Sequence, residues 1–254
     1  MGRTGLSRVE VLVLAVMVAV TVGLLLPARQ KISREANRAT CMNNMRQIGL
    51  AAANSESRKK RLPPAVLPPD ELPPEDRLGW LMALTPYLEQ EQVYRKAGAW
   101  DSEPNQSAAV PLKVFVCPDA PTRDTLNTSY VGVTGVGPDA AALPAGHPRA
   151  GVFGYSRRPL ALTDIKDGAS NTVLALEVTD GGPWLRGGPS SLRPVDPLAR
   201  PHVGAGRPFA GPHQGSALLL RADGSAQYIY PEVAPEVLEG LATVAGGETL
   251  PSDW

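Results

Sequence analysis

Aromatic side chains are scarce in this chain: three Phe, four Trp and six Tyr, 5% of 254 residues. A core with so few rings is expected to be small. Net charge is missing too, since 25 Lys and Arg balance 25 Asp and Glu. That balance removes the electrostatic case for a nucleic-acid partner. Only three histidines, His147, His202 and His213, are available for acid–base or metal work. No Gly-x-Ser-x-Gly elbow, Walker loop, dinucleotide fingerprint or zinc pattern occurs. The two cysteines, Cys41 and Cys117, have no metal-motif spacing. Either they pair in an oxidising compartment, stapling a helix to the following domain, or they are two independent buried thiols.

Glycine and proline are abundant, 25 and 26 residues, so the chain should be rich in turns and loops. Its longest apolar run lies at the amino terminus. No residue from Val11 to Leu26 is charged, and Pro27 closes the run. The 21 residues from Leu6 to Leu26 are enough to span a bilayer core at about 1.5 Å per residue. Leu24-Leu25-Leu26-Pro27 is a poor signal-peptide cleavage site, which favours a retained membrane helix. Glu10 sits at the edge of the run, where a carboxylate is costly in lipid and so marks a functional position. Arg29, Lys31, Arg34 and Arg38 outnumber Arg3 and Arg8. Taken alone, that bias would put the far flank in the cytoplasm.

Residues 28–57 continue as an amphipathic helix. Ile32, Ala36, Ala39, Met42, Met45, Ile48 and Ala52 recur at steps of three or four. Pro27 removes one helical hydrogen bond, so a kink is expected there. Residues 58–78 read as a linker, with six prolines between Leu62 and Pro74. A head domain follows over 79–254. It contains a short helix near Trp80, strands at 114–118, 129–135 and 173–178, and an irregular excursion over 181–212. Asp223-Gly224 between two β-prone runs signals a hairpin. A last short helix is expected over 235–242.

The amino terminus resembles a type IV prepilin segment. Counted from Leu6, Glu10 is the fifth residue and Pro27 the twenty-second, behind a short leader, residues 1–5, that ends in Gly5. Nine residues separate His213 from Asp223-Gly224. With Cys41-Met42-Asn43-Asn44-Met45-Arg46-Gln47-Ile48-Gly49, Phe115-Val116-Cys117-Pro118, Ser129-Tyr130-Val131-Gly132 and Asp167-Gly168-Ala169-Ser170-Asn171-Thr172, this spacing is similar to a large bacterial family. Its members join a prepilin amino terminus to a head with a carboxyl-terminal His-x9-Asp-Gly signature. The resemblance implies an α+β, pilin-like fold, with a long helix packed on a small antiparallel sheet. It implies cleavage and methylation at Gly5–Leu6 by a prepilin peptidase. It also implies a single-pass anchor in the cytoplasmic membrane, with the head in the periplasm or at the cell surface. Glu10 and Pro27 become assembly residues, through which the chain joins copies of itself or related subunits, as in a type II secretion pseudopilus. It implies no reaction.

Two further readings remain beside a structural subunit. One is a tethered protein that binds an extracellular ligand such as a glycan and does not assemble. The other is a hydrolase using His213 with Asp223 and Ser170, which sequence spacing does not support. Asp223 more simply caps its own hairpin turn. Asp164, Asp167 and Asn171 offer oxygen ligands in one Gly-containing loop, as a calcium site needs, although Asx-rich turns of this kind commonly hold no ion. No other cofactor is expected.

Overall fold

The computed structural model describes residues 8–121, 125–213 and 215–251, except for the side chains at 19, 22, 24–28 and 30. The expected cleavage pair, Gly5 and Leu6, lies outside the described residues, as does the Pro27 side chain. The chain divides into two compact units between Ala39 and Thr40.

The longest element is α1 (Arg8–Lys59), which continues through position 27 and ends in a basic last turn. Cations there complement the helix dipole. Among the described residues no helix is long and apolar enough to cross a membrane. The expected span over 6–27 draws partly on residues and side chains outside that set. Its described apolar residues from Val9 to Val20 are all exposed, Val9 by 72% and Val18 by 61%.

The larger unit begins with the last third of α1. Here the expected stripe is partly confirmed. Met45, Ile48 and Ala52 are buried, joined by Cys41 and Ala51, while Met42 is half-buried. Ala36, Ala39 and Ile32 are exposed, so the stripe is a packing face only over its carboxyl-terminal half.

Among the described residues, five strands form one mixed sheet: β1 (Tyr130–Val136), β2 (Val173–Glu177), β3 (Leu192–Val195), β4 (Ala217–Arg221) and β5 (Ala226–Ile229). Their order is β3-β1-β2-β4-β5, with β3 parallel to β1 and every other pair antiparallel. The expectation of a wholly antiparallel sheet is corrected by β3, which lies in the segment expected to be irregular. Pro194 interrupts that strand, and an edge position tolerates the missing N–H. Residues 114–118, expected as a strand, instead begin with a 3-10 turn over Lys113–Phe115.

Side chains alternate across the sheet, as a period of two requires. Tyr130, Leu174, Leu218 and Leu220 join Met45 and Ile48 of α1 and Trp80 of α2 (Trp80–Leu84) in one core layer. Val131, Val133, Leu176, Leu219 and Ile229 form the other with Val237, Leu238 and Leu241 of the carboxyl-terminal helix (Pro235–Leu241). The alternation breaks in β2, where Leu174 and Ala175 both join the first layer, and a register shift against β4 lies there. The core is therefore larger than the aromatic count suggested, because aliphatic strands fill both faces. The few aromatics concentrate in it: Trp80 packs on Phe153 at 5.1 Å and Phe115 on Trp184 at 5.3 Å. Both indole N–H groups are satisfied, by Ser191 O and Val110 O. The Pro-rich segment expected to be a linker is packed as well, with Leu62, Ala65, Val66 and Leu67 buried.

At Gly49 the helix crosses the β4–β5 hairpin. A Cβ there would lie 2.8 Å from Leu220 Cδ1, 3.0 Å from Gly224 O and 3.1 Å from Gly224 Cα. Gly224 itself takes φ +87°, which its turn requires. Alanine is the better helix former by about 1 kcal/mol at an open site. Here the clash reverses that sign, so Gly49→Ala should destabilise the protein by about 1–3 kcal/mol in a denaturant melt.

Candidate functional site

Among the described residues, a buried cluster of Cys, His and Glu side chains lies where the last third of α1 packs on the rest of the larger unit. Cys41 on α1 and Cys117, just after the 3-10 turn, form a disulfide with Cα atoms 5.2 Å apart. The pairing left open by the sequence is therefore made. Asn44, one turn further along α1, donates from Nδ2 to Lys113 O and Val116 O, both at 3.1 Å. This holds the segment carrying Cys117 against the helix. The Cys117 N–H donates to Ser129 Oγ at 2.9 Å, and the Tyr130 hydroxyl reaches Cys41 O at 3.4 Å. Burial, and then the charge of Glu177, push the Tyr130 phenol well above its ordinary value, so it remains a protonated donor.

His213 completes the cluster. Its Nε2 lies 3.2 Å from Cys117 Sγ and 3.3 Å from Cys41 Sγ. Its Nδ1 faces Asp119 Oδ2 at 3.3 Å. Glu177 ends β2 opposite Tyr130. Its Oε2 accepts the Leu218 N–H at 3.1 Å. A side chain on Gly211 would collide with that carboxylate, so glycine leaves it room. One ligand atom from each of Cys41, Cys117, Glu177 and His213 lies within 4.8 Å of the others, and all four residues are buried.

The two halves of the His-x9-Asp-Gly signature thus serve different junctions. His213 meets α1 at Cys41, and Asp223-Gly224 meets it at Gly49, about 12 Å further along the helix. Asp223 caps its turn as expected: Oδ1 accepts the Ser225 N–H at 2.8 Å and the Ser225 hydroxyl at 2.7 Å. The turn also bonds to the 168–172 loop, through Ala222 N to Thr172 O and Asp223 N to Ala169 O. His213 Nδ1 faces Asp119, while Asp223 interacts with Ser225 and Ser170. The imagined His213–Asp223–Ser170 relay gains no support from this arrangement.

Each residue considered for calcium makes a hydrogen bond within the protein. Asp164 Oδ2 accepts the Ala161 N–H. Asp167 accepts the N–H groups of Gly246 and Gly247 and faces the Thr243 hydroxyl. The Asn171 amide donates to Asp167 O. Among the other histidines, His147 Nδ1 accepts the Arg149 N–H, and His202 Nε2 lies 2.9 Å from Glu239 Oε1. Glu177 and Asp119 were not anticipated as site residues. The available signal was an acid inside the apolar run Val173-Leu174-Ala175-Leu176-Glu177-Val178, where a charge needs a partner.

Elsewhere, a groove of about 520 Å³ lies beside the β3 edge, lined in part by Glu75, Tyr155, Arg186 and Arg193. Burial, and then Glu75, raise the Tyr155 phenol to about 12. Arg186 stacks over Trp100 at 5.0 Å.

The family model described as "Protein of unknown function (DUF1559)" matches residues 31–196. No curated protein and no solved structure matches the chain.

Two measurements test these junctions. The disulfide closes a separation of 76 residues, which in the chain-entropy account stabilises by about 4 kcal/mol. Reduction with a chelator present should lower the unfolding free energy by about 2–4 kcal/mol. For Asp223, burial opposes the charge, but the Ser225 hydroxyl and N–H, with Ser170 and Arg221, outweigh it and hold the carboxyl below its usual range. Its contribution is therefore fully present above the unfolded value of about 3.9 and is lost as pH falls through the lower folded value. Asp223→Asn should remove that part of the acid-unfolding profile and leave stability at pH 7 to pH 8 independent of pH at this site.

Proposed function

The chain belongs to the DUF1559 family of proteins of unknown function, and we propose that it is a membrane-anchored, pilin-like structural subunit of the cell envelope. The observation that carries this reading is the exposed apolar segment of α1. Val9, Val11, Leu12, Val13, Leu14, Val16, Met17, Val18 and Val20 are each at least 44% exposed. Consecutive positions cover every side of a helix, so no rotation hides them on one packed face. A helix that is apolar all round belongs in lipid or among other apolar helices.

Under this reading a prepilin peptidase cuts between Gly5 and Leu6, and the new Leu6 amine of one subunit neutralises Glu10 of its neighbour. A charge at that depth is tolerated when paired. The head lies outside the cytoplasm, which fits the Cys41–Cys117 disulfide. The role is structural, with no reaction assigned.

Intact mass and amino-terminal sequencing of the membrane-extracted protein test the processing step. A chain starting at Leu6 with a methylated amine is the expected result. A chain that keeps residues 1–5 would favour a tethered binding protein, with the Tyr155 groove as its ligand site. A start beyond residue 26 would overturn the anchor. In the assembled state, Glu10→Ala should abolish subunit–subunit crosslinks while the head retains its melting temperature.

A further inference from the structure

The disulfide junction has a second chemistry built into it. Reduction of the Cys41–Cys117 bond by a dithiol moves two electrons and two protons onto the sulfurs and closes the dithiol's own S–S bond. Two thiols then face the His213 imidazole and the Glu177 carboxylate in a buried site, with ligand atoms already within 4.8 Å of one another. We propose that in the reduced chain Cys41, Cys117, His213 and Glu177 bind one zinc ion, with release of the two thiol protons.

The donor set suits that ion. Zinc prefers four ligands, with bonds of about 2.3 Å to sulfur and about 2.0 Å to nitrogen, and takes carboxylate oxygen readily. On a tetrahedral centre those lengths separate sulfur from nitrogen by roughly 3.5 Å. His213 Nε2 stands 3.2 Å and 3.3 Å from the two sulfurs. The sulfurs themselves must move to roughly 3.8 Å apart, which rotation of two cysteine side chains supplies. The outer contacts also match. His213 presents Nε2 to the centre while Nδ1 faces Asp119, the carboxylate–histidine–metal arrangement that fixes a ligating ring. The Leu218 N–H holds Glu177 Oε2. Hard-ion alternatives such as calcium or magnesium disfavour two thiolates.

The site joins α1 to the head in both redox states. Zinc would hold Cys41 to Cys117 in a reducing compartment, and the disulfide would replace it in an oxidising one. This inference stands apart from the anchor and its processing, since it concerns residues 40–254 alone.

The test uses the full chain in detergent, stripped with chelator, reduced with a phosphine and kept anaerobic, with cobalt(II) as the probe. One equivalent of cobalt should give tetrahedral d–d bands and the sulfur-to-metal charge-transfer intensity of two thiolates, and one equivalent of zinc should abolish both. The oxidised wild type is the control that needs no substitution, and it should give neither band. Asp119→Ala should weaken binding about 10–100-fold while the oxidised form keeps its melting temperature. His213→Gln should weaken binding at least as much. A reduced protein with no bands beyond the oxidised control would overturn the proposal. So would weak octahedral bands alone, or binding indifferent to both Asp119→Ala and His213→Gln.

Discussion

The head depends on holding α1 against the sheet. The helix offers a narrow face, including Cys41, Met45, Ile48, Ala51 and Ala52, and that face packs into one core layer. Two contacts fix the helix in register. At Cys41 a covalent bond, the Asn44 amide and the His213 ring converge. At Gly49, the absence of a side chain lets the hairpin turn approach to within backbone contact. The first contact constrains the chain in the unfolded state as well as the folded one. The second acts only in the folded state, through packing.

This arrangement gives the carboxyl-terminal signature a physical meaning. His213 lies just before β4 and Asp223-Gly224 just after it, so one short strand carries both groups to the same helix. β4 is also central, paired with β2 on one side and β5 on the other. Residues far apart in sequence, at positions 41, 117, 177 and 213, therefore meet in one buried place. The fold brings amino-terminal helix and carboxyl-terminal hairpin together through a sheet whose edge, β3, is a short and Pro-containing strand.

The apolar part of α1 obeys a different constraint. Within residues 40–254, apolar side chains are mostly buried on two sheet faces. From Val9 to Val20 they are exposed on every side. The same residue types are buried in one unit and exposed in the other. That contrast supports the reading that the segment works inside lipid or an assembly.

Periodicity and turn chemistry in the sequence determined much of this protein: the helix through residue 57, two residues short of its end, β1, β2, the β4–β5 hairpin and the last helix. Each rests on local physics, the helical repeat of Met45, Ile48 and Ala52, β-branched runs, or the Asp-Gly turn. Tertiary structure decided the rest. β3 was invisible because Pro194 argues against a strand, and only a free edge beside β1 makes it one. Residues 114–118 had strand composition, yet Asn44 and the disulfide hold their first turn in a 3-10 shape. The linker composition of 62–74 concealed buried Leu62 and Leu67, because proline reports local backbone and not what the chain packs against. Cys41 and Cys117 could pair or not until the helix and the turn were placed 5.2 Å apart. Glu177 stood out only as an acid inside an apolar run, and Asp119 carried no local pattern. Their roles come from long-range contacts, which sequence spacing does not encode.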